Sequence, residues 1–230
     1  MNDDSCDLLS VLSYTGRADQ GGMLEIRVGA GDELVRWVGE ELGRLDLLVN
    51  NAGFGKQSWF HEMEPDVTGR MFQVNVLSPM ELSRAAIPLM RRGSGGSIVN
   101  VASVGGVVSH PLNVAYCASK HALVGFSKSL RLELKGSGIN VVAVCPAATR
   151  TEFFEQARGE IPFDTMIESN WVPADTVARA VVRSEHSHRA VVFPTWGAWF
   201  LAWADRWLPW ASELGNLRYR DRVLANTKAT

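Results

Sequence analysis

The sequence predicts an α/β fold, a parallel sheet with crossover helices in a single domain, on three observations. Helical and strand periodicities alternate from about Asp32 onward, the pattern of strand–helix–strand units. Glycine clusters punctuate that alternation, at Gly53 and Gly55 and again from Gly93 to Gly96. The 230 residues are enough for one large domain with a buried core, and no stretch resembles an interdomain linker.

Taken in order, Leu34, Val35, Val38 and Leu42 form one helical face, and the apolar run Leu45 to Val49 reads as a buried strand. A long helix is expected from about Asp66 to Arg91, then a β-rich run from Ser97 to Val101. The next helix runs from about Asn113 to Lys135, with Ser119, Ala122, Leu123, Phe126, Leu130 and Leu134 on one stripe. Asn140 to Cys145 reads as a strand ended by Pro146. A helix over Ala174 to Ser184 and a short strand over Ala190 to Phe193 complete the series. Such alternation places a ligand crevice at the carboxyl ends of the strands.

Lysine and arginine total 23 against 25 aspartate and glutamate, so no long-range field recruits nucleic acid. Cys6, Cys117 and Cys145 are odd in number and lack the spacing of a disulfide framework or a metal site. Asp3 and Asp4 stand where a secretory signal would be basic, and the expectation is a cytoplasmic protein.

Tyr116-Cys117-Ala118-Ser119-Lys120 sets a phenol and an ammonium about one helical turn apart on one face. A nearby cation favours the phenolate and would lower a pKa that starts near 10, although any amphipathic helix can carry such a pair by chance. Ser103 follows the strand ending at Val101, where a hydroxyl either meets a ligand oxygen or simply caps a turn. Asn50-Asn51-Ala52-Gly53 follows another strand; its small residues would admit a flat ring or a ribose, or form merely a tight turn. Asn75 lies inside a helix whose backbone its amide competes for.

In order and spacing, Asn50-Asn51-Ala52-Gly53, Asn75, Ser103, Tyr116-x-x-x-Lys120 and Pro146-Ala147-Ala148-Thr149-Arg150-Thr151 resemble the motif series of the short-chain dehydrogenase/reductase family. The likeness covers roughly Asp32 to Phe193. It implies a Rossmann-like doubly wound parallel sheet and an oxidoreductase that moves a hydride between NADP or NAD and a carbonyl or secondary alcohol. Tyr116 would be the general acid in reduction and base in oxidation, and Lys120 would lower its pKa and bind the nicotinamide ribose. Ser103 would hold the substrate oxygen, and Asn75 would anchor a water in the proton relay. Asn50, Ala52 and Gly53 would line the cofactor cleft, and Pro146, Ala147, Thr149 and Thr151 would flank the nicotinamide. Where the family usually has glycine after Pro146, this chain has Ala147. The family also implies a homo-oligomer formed through the helices after Asn75 and Ser103.

The resemblance further implies three strand–helix units before Asn50, beginning with a glycine-rich phosphate turn, yet only 49 residues precede it. The first strand–helix units are therefore expected to be incomplete. Thr15-Gly16-Arg17-Ala18-Asp19-Gln20-Gly21-Gly22, after the apolar Leu8 to Leu12, matches that turn loosely, and Met23 to Val28 reads as a strand where a helix should follow. Alternatively, Tyr14 to Arg17 ends the second strand, with Arg17 near an adenosine 2′-phosphate. Asp32, after Gly29-Ala30-Gly31, reads as a helix cap. A misread start, a shortened but working cofactor site, and a cofactor-deficient homologue serving as an interaction or scaffold subunit are three readings of this region.

Trp196, Trp199, Trp203, Trp207 and Trp210 fall on one helical stripe. Residues 195–230 accordingly read as a helical tail on a domain spanning 1–194. The stripe would pack on the domain or a neighbouring subunit, form a lid over a lipophilic substrate, or contact a membrane peripherally beside Arg218, Arg220 and Arg222. A spanning helix fits least, since Asp205 and Arg206 interrupt it. Glu152 to Trp171, with Phe153, Phe154 and Phe163, would form the substrate loop. His110 faces either substrate or loop, His186 and His188 suit a solvated turn, and Cys117 and Cys145 suit small buried positions.

Overall fold

The computed structural model describes residues 8–14, 23–27, 31–149, 157 and 171–227. Its strands are β1 (Leu8–Tyr14), β2 (Met23–Arg27), β3 (Leu47–Asn50), β4 (Gly96–Val101), β5 (Ile139–Val144) and β6 (Val191–Val192). Its helices are α1 (Gly31–Leu42), α2 (Pro65–Phe72), α3 (Ser78–Arg92), α4 (Val114–Glu133), α5 (Ala174–Ser184), α6 (Trp196–Trp207) and α7 (Pro209–Thr227). The strands form one sheet in the order β2-β1-β3-β4-β5-β6.

From β3 to β6 every neighbouring pair is parallel, as the alternation predicts. Because the strands are buried on both faces, alternate residues serve two cores. Leu48, Ile98 and Val141 pack with Val35 and Val38 of α1, Leu82, Ala86 and Leu89 of α3, and Leu130 of α4. Leu47, Val49, Val99, Val101, Val142 and Val144 meet Val181 of α5 and Val192 on the opposite face. Helices on both faces make the sheet doubly wound. The Ser119, Leu123, Leu130 and Leu134 stripe of α4 is buried as its period requires, whereas Leu42, at the end of α1, is 41% exposed.

The N-terminal strands depart from the parallel pattern. β1 is antiparallel to both β2 and β3. The cause is length: only residues 15–22 separate β1 from β2, and a parallel connection needs a dozen or more residues. Tyr14 therefore pairs with Leu47, at the amino end of β3.

Local chemistry sets the helix ends. Asp32 and Glu33 lie in the first turn of α1, where carboxylates complement the helix dipole. Asp32, expected as a cap, instead ion-pairs with Arg84 of α3 at 3.0 Å. Gly43 closes α1 at φ 73°, a conformation that favours glycine. The helix expected from Asp66 to Arg91 is continuous but changes pitch: Gln73–Leu77 forms a π turn. Pro79 supplies the reason, because it has no N–H to return to the carbonyl of Asn75 four residues earlier. In the tail, Thr195 caps α6 by accepting from the Ala198 N–H at 3.3 Å. Pro209 then holds Leu208 out of helical geometry, at φ -130° and ψ 55°, so the indole stripe is split and Trp210 belongs to α7. Among the described residues no helix is long and apolar enough to cross a membrane.

Candidate active site

Parallel pairing brings the carboxyl ends of β3, β4 and β5 to one edge, and the predicted residues gather there. Ser103 lies two residues beyond β4 and starts a 3-10 turn, Val104–Gly106, whose Gly105 N–H donates to its Oγ at 3.1 Å. Its capping role and its place at the strand end are thus both realised. The turn is fixed to the next strand by Val104 N–H donating to the carbonyl of Pro146 at 2.8 Å. Pro146, Ala147 and Thr149 therefore sit beside Ser103, with Thr149 Oγ1 bonded to the Ala147 carbonyl at 2.9 Å. Thr151, Arg150 and most of the expected substrate loop, including Phe153, Phe154 and Phe163, lie outside the described residues, as does the candidate turn Thr15 to Gly22.

Tyr116 and Lys120 rise from α4 as their spacing requires. Lys120 is 3% exposed; its Nζ donates to the Val101 carbonyl at 3.0 Å and lies 5.9 Å from the centroid of the Tyr116 ring. The electrostatics differ from the expectation. Burial pushes the Tyr116 phenol up to about 12, and a hydrogen bond from the Ser103 side chain only partly offsets it. Lys120 does not lower the phenol; burial brings the ammonium itself down to about 8. Withdrawing both groups from water outweighs their proximity, because each charged form loses its hydration.

Asn75 is fully buried and works as a clamp. Its Oδ1 accepts from the Phe54 N–H at 3.0 Å, while its Nδ2 donates to the Phe54 carbonyl at 2.9 Å and to Ser119 Oγ at 3.0 Å. The loop after β3 is thereby tied to α4.

Gly53 sits in the resulting recess: a Cβ there would lie 2.9 Å from Asn75 Oδ1 and 3.1 Å from Lys120 Nζ. Asn50 is corrected. Its amide is 3% exposed and donates to Asn100 Oδ1 at 2.7 Å, and Asn100 in turn donates to Ser127 Oγ of α4 at 2.8 Å. That side chain ties β3, β4 and α4 together on the α3–α4 face of the sheet and does not line the open edge, where Ala52 and Gly53 remain partly exposed.

Two participants escape the motif reading. Ser119 receives Asn75 and donates to the Tyr116 carbonyl at 2.8 Å; its place between Tyr116 and Lys120 was the available signal. Phe54 packs with Tyr116, Met63, Val67 and Met71 in an apolar cluster beside the phenol. His110 is held by Asn216 of α7, Nδ1 to Oδ1 at 3.3 Å, which favours the loop reading. Cys117 and Cys145 are buried and free, and His186 and His188 are exposed.

At Gly53 the backbone passes so close to Asn75 Oδ1 and Lys120 Nζ that no side chain fits there, and Pro146 lies beside the Ser103 turn; this small-residue approach to a buried ammonium is the kind of lining that one end of a dinucleotide would need. For the phosphate end, β1 terminates at Tyr14, opposite Leu47 at the amino end of β3 and so at the other edge of the sheet from Ser103. The strand that ends near the same edge as β3 is β2, whose Arg27 pairs with Leu8 and which leads into α1.

Residues 28–161 match the family model of short chain dehydrogenases. The chain is 37% identical over 135 residues to the Homo sapiens dehydrogenase/reductase SDR family member 7, across 58% of this chain and 40% of that protein. The match spans less than half the length of the first two curated relatives, 40% of one and 48% of the other. Among solved structures, a short-chain dehydrogenase from Streptomyces avermitilis superposes with a TM-score of 0.69 and 26% identity, over 86% of this chain and 79% of that one. A short-chain dehydrogenase from Sphingobium yanoikuyae in complex with NADPH gives 0.65 and 27% identity, over 84% and 70%.

Proposed function

The chain belongs to the short chain dehydrogenase family, and from that premise we propose that it is an NAD(P)-dependent oxidoreductase acting on a ketone, an aldehyde or the corresponding secondary alcohol. The observation that carries this reading is the convergence of Ser103, Tyr116 and Lys120 at the carboxyl edge of β4 and β5.

A bound nicotinamide supplies the hydride. Lys120, with Gly53 and the Pro146 to Thr149 segment, would hold its ribose and ring; Thr151 continues that segment in sequence. Ser103 Oγ holds the substrate oxygen and Tyr116 Oη gives it a proton as negative charge develops. With its pKa at about 12, Tyr116 is fully protonated at neutrality and ready to donate in the reducing direction. Asn75 keeps the loop after β3 against α4 and would anchor a water in the proton relay. Exposed Met80 on α3 and Leu132 on α4 suit assembly of like chains through those helices. The NADPH complex of the Sphingobium relative supports a nicotinamide cofactor.

The test is Tyr116→Phe. Oxidation of NADPH with a panel of aliphatic and aryl ketones is expected to slow by about 100-fold or more, with NADPH binding retained. A variant that keeps full activity contradicts the assignment.

A further inference from the structure

The indole stripe of α6 is turned outward. The helix docks on the domain through its small residues, with Ala198 fully buried against the core. A step of 100° per residue puts Ala202 and Asp205 on that same inner side, and both are partly buried. Asp205 accepts from Ser212 Oγ of α7 at 2.7 Å. On the opposite side, Trp196 is 83% exposed, Trp207 64% and Phe200 56%, with Trp199 and Trp203 about 40% exposed between them. These rings are ordered against one another: Trp199 and Trp203 stack at 6.5 Å, and Phe200 stacks on Trp203 at 5.8 Å. Trp210, 68% exposed, carries the surface past the α6–α7 turn.

A globular helix normally buries its aromatic face, and an exposed apolar patch of this extent marks a contact surface. We propose that the outer face of α6 docks on an anionic phospholipid bilayer, lying in the interface without crossing it. Three observations select that occupant. Indoles favour the boundary between headgroups and acyl chains. The α6–α7 pair carries Arg206, Arg218, Arg220 and Arg222, and Arg206 lies over the ring of Trp207 at 5.7 Å. On α6 itself Asp205 is turned inward to Ser212, so Arg206 is the outward charge at the rim of the indole face; on α7 Asp221 is paired with Arg220 and Glu213 is exposed, against Arg218 and Arg222, which leaves a cationic rim for anionic headgroups. Finally, α6 is 12 residues long, suited to lying flat and too short to span. The surface adjoins the site: β6 leaves the sheet at the edge where Ser103 lies, and α6 packs on the Val104–Gly106 turn. Docking does not depend on the enzymatic reading.

The test is flotation of the full chain with phosphatidylcholine vesicles, with and without phosphatidylserine, followed together with tryptophan emission. The chain is expected to float with the phosphatidylserine vesicles and to shift its emission to the blue. Replacing Trp196, Trp199, Trp203 and Trp207 by serine is expected to cut the floated fraction by about tenfold or more. Because those side chains point away from the core, far-UV circular dichroism and Tm should stay unchanged. Failure of the wild-type chain to float overturns the proposal, as does equal flotation of the variant. So does a wild-type dimer in sedimentation that becomes monomeric in the variant while neither floats, which would make the face a contact between two copies.

Discussion

Tyr116 and Lys120 exchange the order in which they lose protons. In water the phenol and the ammonium titrate close together; here the ammonium falls to about 8 and the phenol rises to about 12. Carbonyl reduction therefore loses the Lys120 charge long before Tyr116 loses its proton. We expect kcat/KM for reduction to fall as pH rises through about 8, measured as initial rates at subsaturating ketone. A profile flat to pH 10 would contradict it. The same shift governs stability. Between about 8 and 10.5 the unfolded chain holds a proton on Lys120 that the folded chain has released, so this residue makes stability rise with pH across that window. Lys120→Met should abolish that rise in urea unfolding and raise stability at neutral pH by about 1–3 kcal/mol, because a lone buried cation is replaced by an apolar chain. The spacing of Tyr116 and Lys120 made their proximity legible in the sequence. The loss of water around them was not, since it depends on β4, β5 and the Ser103 turn closing over α4.

At the scale of elements, the site rests on two close approaches. In the first, the π turn and Asn75 draw the loop after β3 onto α4. The oddity of an asparagine in a helix was readable, and Pro79 four residues on explains the local pitch. The partners, Phe54 and Ser119, come from distant parts of the chain and required the fold. In the second, Gly106 lets the Ser103 turn lie against α4: a Cβ there would come 2.7 Å from the Lys120 carbonyl. Gly106→Ala should therefore push α4 away, cost about 1–3 kcal/mol in urea unfolding and lower kcat. Unchanged stability and rate would show that the contact yields freely. The indole spacing ran straight through Leu208-Pro209, where the structure breaks the helix; proline's effect on the preceding residue was the signal that periodicity masked.

For the whole molecule, hydrophobic period and glycine punctuation were sufficient to place β3 to β6 and the helices between them, because each buried parallel strand needs a crossover helix and the sequence spells both. Strand direction at the N-terminus was not legible in the same way. Leu8 to Leu12 reads as an apolar run and Met23 to Val28 as a strand, but only their pairing shows β1 running against its neighbours, with its carboxyl end at the far edge of the sheet. The central claim is that the recess formed by Gly53, Asn75 and Lys120, beside Ser103 and Tyr116, holds a nicotinamide cofactor. The most direct measurement is titration of NADPH and NADH with the purified chain, following nicotinamide fluorescence. A saturable enhancement with at least one of them, lost when Gly53→Val pushes against Asn75 and Lys120, is the predicted result. No change with either cofactor up to about 1 mM would contradict the account.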